Sequence, residues 1–118
     1  VTGDDFTTLR LEYVGDVLRV VIAHPSSPMN AVDGALHHDL TRLFAGLRRE
    51  DRARAVLLTG QGRAFSAGGD FAWFPALQEP GAMEALRRDA KQLIWDLLDV
   101  EVPIVAALNG HAMGLGAS

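Results

Sequence analysis

Cysteine is absent from this chain, so disulfide bonds and thiolate chemistry are excluded. Basic charge is short as well: Lys and Arg number 11 against 15 Asp and Glu, a net charge of −4. The adjacent pairs Arg48–Arg49 and Arg87–Arg88 fall on helical segments rich in acids, which argues against a nucleic acid partner. No apolar run approaches a membrane span, and the opening VTGDDFTT is polar and acidic rather than basic and then apolar. A cytoplasmic chain with no membrane partner is expected. Lysine occurs once, at Lys91 in a helical pattern, which removes the phosphate loop GxxxxGK[ST]. What is plentiful is apolar surface, 48% of 118 residues, enough for the core of one domain over 1–118.

The order of elements follows from periodicity. LRLEYVGDVLRVVIA alternates apolar and polar residues on both sides of Gly15 and Asp16, which predicts a tight hairpin. HPSSPMN is a loop, after which Leu36, Leu40, Leu43, Phe44 and Leu47 recur at helical spacing behind the candidate N-cap Asp33. AVLLTG is a continuous apolar run, the pattern of a strand buried on both faces, and PIVAALNG repeats it. Between them lie a glycine loop, a short FAWF turn that Pro75 is expected to end, and a helix from about Ala82 to Val100. Its predicted stripe is Met83, Leu86, Ala90, Leu93, Ile94, Leu97 and Leu98. Strand, helix, strand, helix, strand is the rhythm of a mostly parallel α/β sheet. A third helix would begin only at GHAMGLGAS, so the chain is expected to be the first part of a longer polypeptide.

Each apolar strand leads directly into glycines, RAFSAGGD in one case and NGHAMGLG in the other. That is the end of an open α/β sheet where ligands bind. Two backbone N–H groups converging there, one of them at a helix N-terminus, would stabilise a negative oxygen developing on a carbonyl, because fixed donors need no reorganisation. The pattern therefore predicts an oxyanion hole. A dinucleotide fingerprint fails, since Phe65 stands three residues after Gly62 where glycine is needed. Ser66 in AFSAG is one glycine short of a nucleophile elbow, and GQGRAF separates it from the strand.

GRAFSAGGDF followed by PIVAALNGHAMGLGAS resembles the crotonase superfamily, the enoyl-CoA hydratase and isomerase group, and RVVIAHPSSPMNAV extends the likeness upstream. The resemblance covers about Leu9 to Ser118. It implies an α/β crotonase-like fold of repeated ββα and βαβ units, of which this would be the N-terminal part of the spiral. It also implies an enzyme of fatty-acid or related acyl-CoA metabolism, a lyase or isomerase assembled as a trimer or paired trimers. No resident cofactor is implied, and a coenzyme A thioester would be the substrate. The two oxyanion donors match Gly69 and Leu115; the latter keeps its N–H if its φ is negative. Ser27, Met29, Ala67, Gly69, Asp70, Phe71, Gly114 and Leu115 would line the coenzyme path, and Trp73 or Phe74 would face the acyl chain or simply pack. Asp70 reads as a cap on the turn that follows.

One departure matters. The family's first catalytic glutamate falls where this chain has Ser118, and an alcohol without a partner is a poor general base. The second glutamate would lie beyond Ser118, so the chain alone is expected to be inactive. A non-catalytic acyl-CoA-binding or interaction protein is the alternative. No metal site is expected: His37 and His38 are adjacent on a helix and point about 100° apart, and His24 and His111 have no ligand-spaced partners. The remaining helix acids read as caps or solvated faces.

Overall fold

The computed structural model describes residues 1 and 3–118. Its strands are β1 (Leu9–Val14), β2 (Val17–Ile22), β3 (Ala55–Gly60), β4 (Ala64–Ser66), β5 (Ile104–Ala107) and β6 (His111–Ala112). The helices are α1 (Gly34–Leu47) and α2 (Ala82–Leu98). The predicted hairpin is β1 against β2, antiparallel from Leu9 opposite Ile22 to Val14 opposite Val17. β2 pairs in parallel with β3, and β3 with β5, giving the sheet order β1-β2-β3-β5. Parallel neighbours require crossovers, and α1 and α2 supply them.

Asp33 caps α1 as its position suggested, its Oδ1 accepting from the Leu36 N–H at 3.0 Å. Leu36, Leu43, Phe44 and Leu47 of α1 are buried against Leu18, Val20 and Ile22 of β2, with Val56 and Phe65 joining them. Each such side chain contributes on the order of 2 kcal/mol by leaving water. This packing fixes the sheet on which both glycine loops are mounted.

Three expectations are corrected. β3 and β5 are not buried on both faces: Val56 is buried, but Leu57 and Thr59 are half-buried and Val105 is exposed. The helices pack on the face of Leu18, Val20 and Ile22; on the other face Val21 is buried while Arg19 and Val105 are exposed. The α2 stripe is split as well: Leu93 and Leu97 join the core, while Ile94 and Leu98 are exposed. Pro75 does not end its turn either, because Phe71–Gln78 forms a 3-10 helix that runs through it. A proline there sacrifices one i→i+3 bond, and its φ suits the helix.

Two helix acids expected on solvated faces are buried. Asp96 accepts from Arg48 Nη1 at 2.9 Å and Gln92 Nε2 at 3.0 Å. Asp39 Oδ2 accepts from the Thr8 N–H at 2.8 Å, Thr8 Oγ1 at 2.7 Å and the Thr7 N–H at 3.0 Å, tying α1 to the start of β1. Burial alone would raise the Asp39 pKa, but the bonds from Thr8 and Thr7 outweigh it and hold it below the ordinary 3.8. The unfolded chain therefore takes up this proton first. The stabilisation is present above the unfolded value and lost as pH falls through it toward the lower folded value. Asp39→Asn is expected to cost about 2–4 kcal/mol at neutral pH, from weakened hydrogen bonds to a charged acceptor. It should also flatten the acid limb of stability against pH; urea melts of wild type and variant below pH 5 would check this, and parallel curves would refute it.

Candidate functional site

β3 and β5 lie side by side, so both glycine loops leave the sheet at one end, where a parallel sheet opens a crevice. Within the loops β4 and β6 pair in parallel, Ala64 opposite His111 and Ser66 opposite Ala112, a small second sheet that the sequence did not suggest. Two glycines permit this approach. A Cβ on Gly110 would collide with the Arg63 carbonyl, and one on Gly116 with the Ser66 carbonyl.

Two asparagines hold the loops in register. Asn30 is buried, and its Nδ2 donates to the Ala64 carbonyl at 3.1 Å while its Oδ1 accepts from the His24 N–H at 3.0 Å. It carries the one positive φ of a non-glycine residue among the described residues, 52°, a conformation that asparagine tolerates better than most. Asn109 Oδ1 accepts from the Gly60 N–H at 3.0 Å, and its Nδ2 donates to Gly62 O and Ala64 O. Neither role was read from the sequence. The Asn-Gly pair in LNG marks a turn, but the partner loop is 47 residues away for Gly62.

Gly69 sits between the loop before α1 and the second glycine loop. Val32 N–H donates to Gly68 O at 2.7 Å, and Asp70 N–H to Val32 O at 2.8 Å. In a trans peptide the C=O and the following N–H point in opposite directions, and no cis bond occurs here. The Gly69 N–H is thus turned away from Val32, and it donates to no group among the described residues. On the far side Met113 N–H donates to Ser66 O, and Gly114–Gly116 form a single 3-10 turn. Gly114 O accepts from the Ala117 and Ser118 N–H groups, so the Leu115 N–H projects from the opposite end of that turn, ahead of its first donor. The φ of Leu115 is negative, as a donor there requires. A Cβ on Gly69 would lie 3.3 Å from Phe74 Cε1 and 3.8 Å from Leu115 Cδ1, so both side chains flank Gly69.

The other residues singled out in the sequence divide. Met29 O accepts from the Ala67 N–H at 3.0 Å, which joins those two positions. Ser27 Oγ accepts from the Ala31 N–H, and Asp70 Oδ1 from the Ala72 N–H, which makes Asp70 the cap it was read as. Phe71 is exposed and meets Phe74 edge to face at 5.5 Å, while Trp73 packs partly on the core. Ser66 is buried and its Oγ donates to Asn30 O at 2.7 Å, so it is spent as a structural hydroxyl and is no nucleophile. His37, expected on the surface, is half-buried with its ring 6.0 Å from Trp73, and burial lowers its pKa below 6.5. Among the described residues no cluster suits a metal.

The model of one family, described as enoyl-CoA hydratase/isomerase, matches residues 14–118. The chain belongs to the enoyl-CoA hydratase/isomerase family. A probable enoyl-CoA hydratase of Rhodobacter capsulatus is 34% identical over 96% of this chain and 42% of its own. A carnitinyl-CoA dehydratase of Proteus mirabilis is 31% identical over 92% of this chain and 41% of its own. The crystal structure of an enoyl-CoA hydratase/isomerase from Mycobacterium paratuberculosis superposes with a TM-score of 0.88 and 37% identity, covering 97% of this chain and 46% of that one. The α/β crotonase fold expected from the motifs is therefore the fold, and the chain spans less than half the length of these family members. No helix among the described residues is long and apolar enough to cross a membrane.

Proposed function

We propose that in the full-length protein these two loops hold the carbonyl oxygen of a coenzyme A thioester between the N–H groups of Gly69 and Leu115, stabilising an enolate. The observation that carries this reading is that both N–H groups are unspent among the described residues and stand on neighbouring loops. Each is worth on the order of 3 kcal/mol to a developing oxyanion. Ser27, Met29, Ala67, Asp70 and Gly114 frame the approach of the thioester arm. Phe74 and Leu115, beside Gly69, narrow the space next to the reacting carbon. Hydration or isomerisation then needs an acid or base supplied from outside residues 1–118.

Ser118 favours a second reading, a protein that binds acyl-CoA without chemistry. Its Oγ donates to Gly114 O at 3.2 Å and has no base beside it among the described residues. Incubating the full-length protein with crotonyl-CoA while following the conjugated thioester absorbance separates the two, with acetoacetyl-CoA as an enolate mimic in a parallel titration. Loss of absorbance supports the enzyme. Binding without turnover supports the second reading, and the absence of both overturns the thioester proposal.

A further inference from the structure

We propose that His24 is a positioning residue that aims the Gly69 N–H, acting through Asp33 and Val32; its functional meaning rests on the thioester reading above. His24 is the first residue of the HPSSPMN loop, and its side chain is 5% exposed. Its backbone N–H donates to Asn30 Oδ1. The ring spans the loop. Nδ1 accepts from the Ser26 N–H at 3.2 Å, so a neutral ring carries its proton on Nε2. Nε2 lies 2.9 Å from Asp33 Oδ2, but off the axis of an in-line hydrogen bond. Among the described residues it is the one buried side-chain polar atom left without such a bond. What it faces at that distance is the Asp33 carboxylate. Burial would raise the Asp33 pKa, but the Leu36 N–H and His24 together keep it below 3.8, so the carboxylate is charged where the ring meets it.

Asp33 is thereby held from two sides, by the ring on Oδ2 and by the cap bond to Leu36 N–H on Oδ1. The next residue back, Val32, holds both peptides that flank Gly69, through Gly68 O and the Asp70 N–H. A tilt at Asp33 is passed to Val32 and rotates the Gly68–Gly69 peptide, whose N–H is the proposed donor. Because a displacement of about 1 Å in a reacting geometry costs as much as 100-fold, a residue that touches no substrate has a measurable effect.

Two variants split the ring's contacts. In His24→Gln the amide nitrogen stands near the place of Nε2 and keeps the contact to Asp33; in His24→Asn the amide oxygen stands near the place of Nδ1 and keeps the bond from Ser26. Three measurements are made on the full-length protein: the Gly69 amide resonance in isotope-labelled, ligand-free protein, acetoacetyl-CoA affinity, and thermal unfolding. His24→Gln is expected to leave resonance and affinity near wild type. His24→Asn is expected to shift the resonance and weaken binding about tenfold, with Tm lowered to a similar extent in both. Asp33→Asn, which keeps a capping side chain, should reproduce the shift. An unmoved Gly69 resonance in His24→Asn and Asp33→Asn, or equal losses in the Gln and Asn variants that follow Tm, would overturn the proposal. If wild type fails to bind acetoacetyl-CoA the thioester reading falls, while the ligand-free resonance still decides what His24 does.

Discussion

Replacing Gly69 by proline in the full-length protein is expected to lower kcat/KM for an enoyl-CoA substrate by about 100- to 1000-fold, the loss seen when one oxyanion donor is removed. The bonds that hold this segment use Gly68 O and the Asp70 N–H, which proline at 69 leaves in place, and the Gly69 N–H serves no other group among the described residues. Gly69→Ala is the control, since alanine keeps the N–H and its Cβ approaches the Phe74 ring edge at 3.3 Å, a contact relieved by a few tenths of an ångström. It should cost less than about tenfold, because only a small repacking of a flexible ring is asked of it. Steady-state kinetics decide, or acetoacetyl-CoA affinity if the protein only binds. Equal losses in the proline and alanine variants would show that crowding, and not the missing donor, is responsible.

Gly116→Ala is expected to cost about 3 kcal/mol, the upper end for overpacking. The new Cβ would meet the Ser66 carbonyl oxygen and stand 2.9 Å from its carbon, so backbone rather than a yielding side chain is in the way. Ser66 cannot retreat, because its Oγ is bonded to Asn30 O and the next residue's N–H to Met29 O. The 3-10 turn must move instead, carrying the Leu115 N–H with it, so acyl-CoA affinity should fall together with stability. Gly34→Ala tests the mechanism. Its Cβ would lie 3.4 Å from Trp73 Nε1, an ordinary contact at the start of α1, and that change is expected to be neutral or stabilising by about 0.5 kcal/mol. Urea denaturation of the two variants in the full-length protein gives the comparison, and equal midpoints would refute the packing argument.

Some of the local structure around the candidate site was legible because it depends on near neighbours in the chain. A glycine pair after an apolar strand marks where backbone is bared, and the cap at Asp70 is set by a neighbour two residues away. The negative φ of Leu115 follows from its place in a turn. Asn30, Asn109 and the His24–Asp33 pair were not legible. Asn30 and Asn109 work on carbonyls tens of residues distant, and nothing in the spacing of PMNAV or LNG says which carbonyls those are. Asp39 and Asp96 were misread for the same reason: an acid on a helix belongs to a solvated face unless another element brings donors to it. The apolar runs of β3 and β5 overstated burial, since a run records what a strand is built to be covered by and not what covers it here.

By itself, then, the order of residues determined the hairpin, the two crossovers, the cap of α1 and the bared backbone of both loops, because each depends on dihedral preference and periodicity within a few positions of the chain. Which way the Gly69 and Leu115 N–H groups face, and that their loops meet at all, was decided only by the parallel pairing of β3 with β5 and by the side-chain bonds of Asn30, Ser66 and Asn109 across it. The direction of a peptide group is set by the partner its neighbouring carbonyl or N–H finds, and those partners lie far away in sequence.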